Sequence, residues 1–210
     1  MVPKVSLALF LAVIAVIIGT VFGTAGCTSS PGPAADAEYL QKVQVWRAER
    51  DETWSKSTDP IPEERRAELL PLRYFPADLS YVVPAQLRLS ETRPVVELPT
   101  STGELRRMQV VGTLEFTLQG QKLSLGALSP AGEPIRSLFV PFADLTTKQE
   151  TYEAGRYLDI EPTATGIYTI DFNYAYNPTC AYNKAYSCPF PPPSNQLKVA
   201  VRAGEKAPGT

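Results

Sequence analysis

Histidine is absent from all 210 residues. That absence removes Ser-His-Asp and Cys-His catalysis, His-ligated metal hydrolysis and histidine proton shuttling. An enzyme made from this chain would have to use carboxylates, tyrosine, lysine, arginine or a thiolate. Cysteine is scarce, at three, and without histidine the soft ligands are too few for a zinc site. Cys180 and Cys188 have seven residues between them, so there is no C-x-x-C redox motif. No glycine-rich phosphate motif occurs, and no motif calls for a cofactor. Positive charge is not in excess either, the net charge being −2. That mild acidity argues against a nucleic-acid partner and against attraction to anionic lipid.

One long apolar run is present. Lys4 precedes an uncharged stretch from Val5 to Phe22, and Gly23-Thr24-Ala25-Gly26 leads into Cys27. This resembles a lipoprotein signal, with residues 1–26 removed and Cys27 acylated as the mature N-terminus, although Thr24 stands where leucine is commonest. The competing reading is an uncleaved membrane anchor, for which the run is just long enough. Either way Lys4 stays inside and the remainder is exported. The expected location is the cell membrane, lipid-anchored on the extracytoplasmic side, with the membrane as a partner through Cys27. Residues 27–36 are polar and proline-rich and read as a flexible tether. Residues 37–206 are the right size for a single domain, and 207–210 read as a disordered tail. Without Lys4 the mature chain carries 19 basic against 22 acidic residues, a charge of −3. Export also makes a Cys180–Cys188 disulfide the first expectation, worth roughly 2.5 kcal/mol by loop-closure entropy.

Asp36 is an expected helix N-cap, with Tyr39, Val43, Trp46 and Arg50 on one face of a helix that ends near Lys56. Trp46 and Trp54, the chain's two tryptophans, are expected to clamp this helix onto a sheet. A short helix is predicted from Pro62 to about Leu70, stopped by Pro71. The period then changes to two. Strands are predicted at Tyr81–Leu89, with Pro84 demoting it to an edge, and at Arg93–Leu98. The clearest follows, where Met108, Val110, Gly112, Leu114, Phe116 and Leu118 alternate with more polar neighbours. Further strands are predicted at Lys122–Ala127, Ile135–Val140, Arg156–Ile160, Ile167–Phe172 and Gln196–Val201, with Gly112 marking a bend. The fold class is mainly β with N-terminal helices (α+β): an antiparallel barrel or sandwich of about eight short strands with an appended helix.

Pro141–Asn195 is unlike the rest of the chain. It holds seven of the ten tyrosines and a set of polar side chains that are hard to bury alone: Asp144, Glu150, Arg156, Tyr157, Asp171, Asn173, Tyr176 and Asn177. Either they satisfy one another and the backbone of a long loop, or they form a binding surface on a rigid sheet. Arg156, with a guanidinium suited equally to a carboxylate or an incoming anion, is read as structural.

The segments F-A-D-L-T (Phe142–Thr146), E-T-Y-x-x-G-R-Y-L (Glu150–Leu158), D-F-N-x-A-Y-N-P-x-C-A-Y-N (Asp171–Asn183), C-P-F-P-P-P-x-N (Cys188–Asn195) and A-G-E-K (Ala203–Lys206), with W-R-x-x-R (Trp46–Arg50) upstream, resemble the bacterial DUF1684 family. The resemblance spans essentially the whole mature chain. It implies a protein of unknown function, often exported or lipid-anchored in that family, and it names no catalytic residue.

Two functions remain. One is a non-catalytic, extracytoplasmic binding or envelope-associated module whose tyrosines and asparagines recognise an envelope ligand or protein. The other is a hydrolase or lyase using Asp144, Glu150, Asp159 or Asp171 as paired acids and Arg156 as an anion clamp. Two carboxylates across an open cleft would favour the enzyme. Carboxylates locked by Arg156 or backbone amides would favour the module. No metal is assigned: Asp171 and Asn173, with Asp144 or Glu150, offer oxygen ligands for calcium, but the dense calcium-loop spacing is missing.

Overall fold

The computed structural model describes residues 33–57 and 59–209. The signal segment, Cys27 and most of the tether lie outside them. Among the described residues no helix is long and apolar enough to cross a membrane.

Helix α1 spans Pro33–Lys56, so it takes in the last four residues assigned to the tether. A 3-10 turn at Glu63–Arg65 runs into the short α2, Arg66–Leu69, where a single helix was expected. Seven strands follow: β1 (Val82–Leu89), β2 (Val95–Pro99), β3 (Leu105–Leu118), β4 (Gln121–Pro130), β5 (Leu138–Phe142), β6 (Arg156–Ile160) and β7 (Ile167–Asp171). They make one antiparallel sheet in the order β6-β5-β4-β3-β1-β7, with β2 paired to β3. The sheet curls as a half-barrel whose edges are β6 and β7, so it is neither a closed barrel nor a two-sheet sandwich.

β3 organises this sheet because it serves two partners on one edge. Its first half, Leu105–Gln109, pairs with β2, and its second half, Gly112–Phe116, pairs with β1. At the changeover the register with β4 shifts between Val110 and Gly112, and Val111 turns its carbonyl to the amide of Ser90 at 2.9 Å. A Cβ on Gly112 would lie 2.2 Å from the Arg88 carbonyl oxygen, so only glycine allows the two backbones this close. The bend expected at Gly112 is therefore a β-bulge.

The predicted strand at Gln196–Val201 does not form. Its alternation is real, since Leu197, Val199, Val201 and Ala203 are all buried against Phe116, Phe142 and Phe172 in the hollow of the sheet. Its backbone, however, meets a loop: Leu197 donates to Ala143 and Leu145 donates to Val199, at 2.8 and 3.1 Å. Each buried Leu or Val side chain contributes about 1.5–3 kcal/mol, which holds the segment in place without a ladder. Nearby, the Asn195 side chain takes the place of a strand along β4. Its Oδ1 accepts from Gly126 N at 2.7 Å and its Nδ2 donates to the Gly126 and Pro141 carbonyls.

A second cluster, built on Ile61, Leu69, Leu72, Tyr152, Tyr157, Tyr182 and the two cysteines, lies beyond the sheet. Helix α1 docks beside it. Trp46 packs edge-on against Tyr74 and Tyr174, Trp54 against Tyr182, and the Arg50 guanidinium lies over both indoles. The tryptophans thus clamp the helix onto loop tyrosines and not onto the sheet.

Candidate functional site

The polar residues of Pro141–Asn195 separate into local groups. Arg156 stands at the start of β6 because Gly155 before it has φ +87° and leaves no room for a side chain, a Cβ there falling 2.5 Å from the Phe142 carbonyl oxygen. The Arg156 guanidinium is 1 % exposed and meets Asp144, 0 % exposed, at 3.0 Å. It also donates to the carbonyls of Val201, Ala203 and Glu205. Asp144 is saturated in turn. Its Oδ1 accepts from the amide and hydroxyl of Thr146 at 2.9 and 2.6 Å, and its Oδ2 from Val201 N at 2.9 Å. Burial pulls the Arg156 pKa down and Asp144 opposes this. No face of this pair is left for a ligand.

Asp171 and Asn173 fasten the end of β7 to α1. Tyr39 donates to Asp171 Oδ2 at 2.9 Å, and Asn173 Nδ2 donates to the Tyr39 oxygen at 2.8 Å. Burial raises the Asp171 pKa while the hydrogen bonds from Tyr39 and Asn173 pull it back. Glu150 pairs with Arg202 Nη2 at 2.8 Å on the surface. Asp159, exposed on β6, accepts from the Tyr176 hydroxyl. The oxygen ligands proposed for calcium are thus engaged with Tyr39, Arg156 and Arg202. Among the described residues no three acids or cysteines converge.

Sequence reasoning missed the centre of the third group, Glu205, which is fully buried. Its carboxylate accepts from Arg50 Nε at 2.9 Å, from the Tyr182 hydroxyl at 2.9 Å and from Asn177 N at 2.7 Å. Asn177 Nδ2 also donates to the Tyr182 oxygen and to the Lys206 carbonyl. Glu205 lies in the A-G-E-K segment, beyond the last apolar alternation, where no periodicity marks a buried acid.

The expected disulfide is absent: Cys180 and Cys188 are both free and buried. They are neighbours, the Cys180 amide donating to Cys188 Sγ at 3.1 Å. The loop between them is held by other bonds. Ser101 Oγ donates to the Tyr186 carbonyl and accepts from Cys188 N, and Arg65 Nη1 donates to the Tyr182 carbonyl. Ordering this loop therefore does not depend on the bridge.

Two clefts flank that loop. One, of about 610 Å³, is lined by Phe139, Tyr157, Asp159, Tyr176, Tyr186 and Cys188, with Arg106 and Arg107 at its rim. The other, of about 670 Å³, includes Ser101, Tyr152 and Lys184. Burial raises the pKa of the Tyr157 hydroxyl, which donates to the Pro189 carbonyl at 2.6 Å, and that of Tyr176. Both phenols are therefore neutral hydrogen-bonding groups and not bases.

A family described as "Protein of unknown function (DUF1684)" matches residues 68–206. The chain belongs to the DUF1684 family. Among solved structures, the solution NMR structure of an uncharacterised protein from Haloarcula marismortui is similar to it, with 41 % sequence identity and a TM-score of 0.66, covering 82 % of this chain and 96 % of that one. No curated protein matches. All the polar groups described above except Tyr39, Arg50 and Arg65 fall inside the DUF1684 match.

Proposed function

We propose that this DUF1684 chain is a lipid-anchored, extracytoplasmic binding module and not a hydrolase or lyase. The observation that carries the reading is the fate of the candidate acids. Asp144 is locked by Arg156 and backbone amides, Asp171 by Tyr39 and Asn173, Glu150 by Arg202, and Asp159 by Tyr176. Glycoside hydrolysis needs one carboxyl that can release a proton to the leaving group and a second that can attack or activate water. Of these four only Asp159 lines the aromatic cleft, with Tyr176 already on one of its oxygens, and none of the other three joins it there.

What remains open is the aromatic cleft. Tyr157, Tyr176, Tyr186 and Phe139 offer stacking faces, while Asp159 and the guanidinium groups of Arg106 and Arg107 offer hydrogen-bonding partners around them. Rigid phenols bind flat, hydroxyl-bearing surfaces at low entropic cost, so the ligand is of the sugar-like class found in cell envelopes. The anchor rests on the segment ending in Cys27. Helix α1 begins six residues later, at Pro33, and six residues reach at most ~20 Å. The module would thus work close to the membrane surface.

NMR titration of the chain from Pro33 onward with envelope oligosaccharides is expected to shift resonances around the aromatic cleft, and Tyr186→Ala to weaken binding about tenfold, the loss of one stacking partner. Cleaved sugar in the same tubes would overturn the non-catalytic reading. Cys27→Ser is expected to abolish incorporation of labelled palmitate, and retained label would overturn the anchor.

A further inference from the structure

The bulge at Gly112 gives the sheet a second apolar face. Val111, Leu114, Phe116 and Leu118 of β3 enter the main core, yet Met108 and Val110 pack with Leu98, Leu128 and Phe139 in a separate cluster. The extra residue has turned the first half of β3 over. Side chains alternate along a strand, so Arg106 joins Met108 and Val110 on this face, opposite Leu98 of β2. Strand β6 supplies Tyr157 and Asp159 to the same face, with Asp159 beside Phe139 in the register with β5. The aromatic cleft thus runs over this cluster from Arg106 at one end to Asp159 at the other.

We infer that the cleft takes an acidic oligosaccharide, with the carboxylate of a hexuronic-acid ring on Arg106 and the hydroxyl groups of a second ring on Asp159 and the phenol oxygens. The inference rests on the sugar-binding reading above and adds the charge, length and direction of the ligand.

Donors and acceptors set the direction. Tyr157 gives its proton to the Pro189 carbonyl at 2.6 Å and Tyr176 gives its proton to Asp159 Oδ2. Both phenol oxygens and Asp159 Oδ1 are then left as acceptors, which suit the hydroxyl hydrogens of a sugar and repel a carboxylate. Arg106 can only donate. Its Nη2 donates to the Ser187 carbonyl at 3.2 Å, and among the described residues it forms no ion pair, although Glu133 lines the same cleft. Ser187 Oγ is itself bonded to Thr100 and Thr102, at 2.9 Å each. The guanidinium is therefore anchored at the rim with donors to spare, and its planar fork matches a carboxylate through two charge-assisted bonds. Arg107 is less suited, because Glu97 stands opposite it in the register and offsets its charge.

Length follows from the register. Asp159 aligns through Phe139 and Leu128 with Val110, so Arg106 lies three strands across and four residues along from it. With strands about 4.8 Å apart and a rise of about 3.4 Å per residue, the two backbones are ~20 Å apart. One sugar ring does not reach both ends even when the Arg106 side chain extends inward.

The test titrates the full chain in detergent, followed by NMR, with cellobiouronic acid and with cellobiose, two-ring sugars that differ only by a carboxylate in place of CH₂OH. A tetramer alternating glucuronic acid and N-acetylglucosamine, and its carboxyl-reduced form, make a second matched pair. The acidic member of each pair is expected to bind about tenfold more tightly, with shifts at both Arg106 and Asp159, and the ratio to fall in 0.5 M salt. Methyl glucuronide, a single ring, is expected to shift the Arg106 end alone. Arg106→Gln is expected to bring the acid-to-neutral ratio to about one, whereas a variant that merely loosened the loop would weaken both members alike and keep the ratio. Equal binding of the two members, tighter binding of the neutral one, or an acid preference that survives Arg106→Gln would overturn this inference and leave the sugar-binding reading standing. No shift with any of these sugars or with neutral envelope oligosaccharides would overturn both.

Discussion

The meander β1–β4 and the segment Ala143–Lys206 are held by different forces. In the meander the buried side chains are almost all apolar, among them Leu114, Phe116, Leu118, Leu125 and Ala127, and the polar bonding is the backbone ladder. In the segment, charged and amide side chains supply what a ladder would have supplied. Arg156 collects three carbonyls from residues 201–205, Asp144 caps the turn at Thr146 and holds Val201, and Glu205 gathers groups from α1 and the 177–182 loop. Apolar packing tolerates small losses with graded costs. A buried charge network does not, because removing one member leaves its partners desolvated and unpaired.

The sharpest way to break this contrast is at Glu205. Every group facing its carboxylate is a donor: Arg50 Nε, the Tyr182 and Tyr74 hydroxyls, and Asn177 N. Glu205→Gln removes the charge and points an NH₂ at one of those donors. The expected loss is about 3–5 kcal/mol in urea unfolding, as for breaking a buried ion pair. A smaller effect is expected for Arg156→Lys, which keeps the charge but loses the fork that spans Asp144 and the carbonyls. That should cost on the order of 1–3 kcal/mol. A curve that superimposes on wild type while ligand binding disappears would assign Arg156 to a ligand and undo the distinction between the two regions.

The meander was legible in the sequence for the reason it is stable. Its side-chain period of two is the same pattern that buries Leu114, Phe116 and Leu118 on one face, and β6 follows Arg156–Ile160 without an offset. Gln196–Val201 carries the same period and is not a strand, since periodicity reports which face is buried and says nothing of what the backbone pairs with. Arg156 and Asp144 could be singled out as polar residues in need of partners, but not as partners of each other or of Val201 and Ala203, whose carbonyls come from sequence-distant chain. Glu205 was illegible altogether. It sits between Gly204 and Lys206, and only the docking of α1 through Arg50 reveals that it is buried. The disulfide expectation failed in a similar way: spacing and compartment argue for a bridge, while the bonds that order the loop without one come from Ser101 and Arg65.

The smallest predicted effect tests whether burial, and not ion pairing as such, separates the two regions. Glu150–Arg202 has the same chemistry as Asp144–Arg156 and tighter geometry, with Nη2 at 2.8 Å and Nε donating to both carboxylate oxygens at 2.9 and 3.1 Å. Its side chains are 37 % and 58 % exposed, against 0 % and 1 % for the buried pair. Water already solvates both exposed partners, so the pair gains little when formed and leaves nothing desolvated when broken. Glu150→Ala is therefore expected to give an unfolding midpoint indistinguishable from wild type, at low ionic strength and in 1 M salt alike, where the screening length falls to about 3 Å. A shift as large as that of Arg156→Lys, reduced by salt, would mean that surface charge also holds the 143–206 segment in place, and that its buried network is only part of what replaces the ladder.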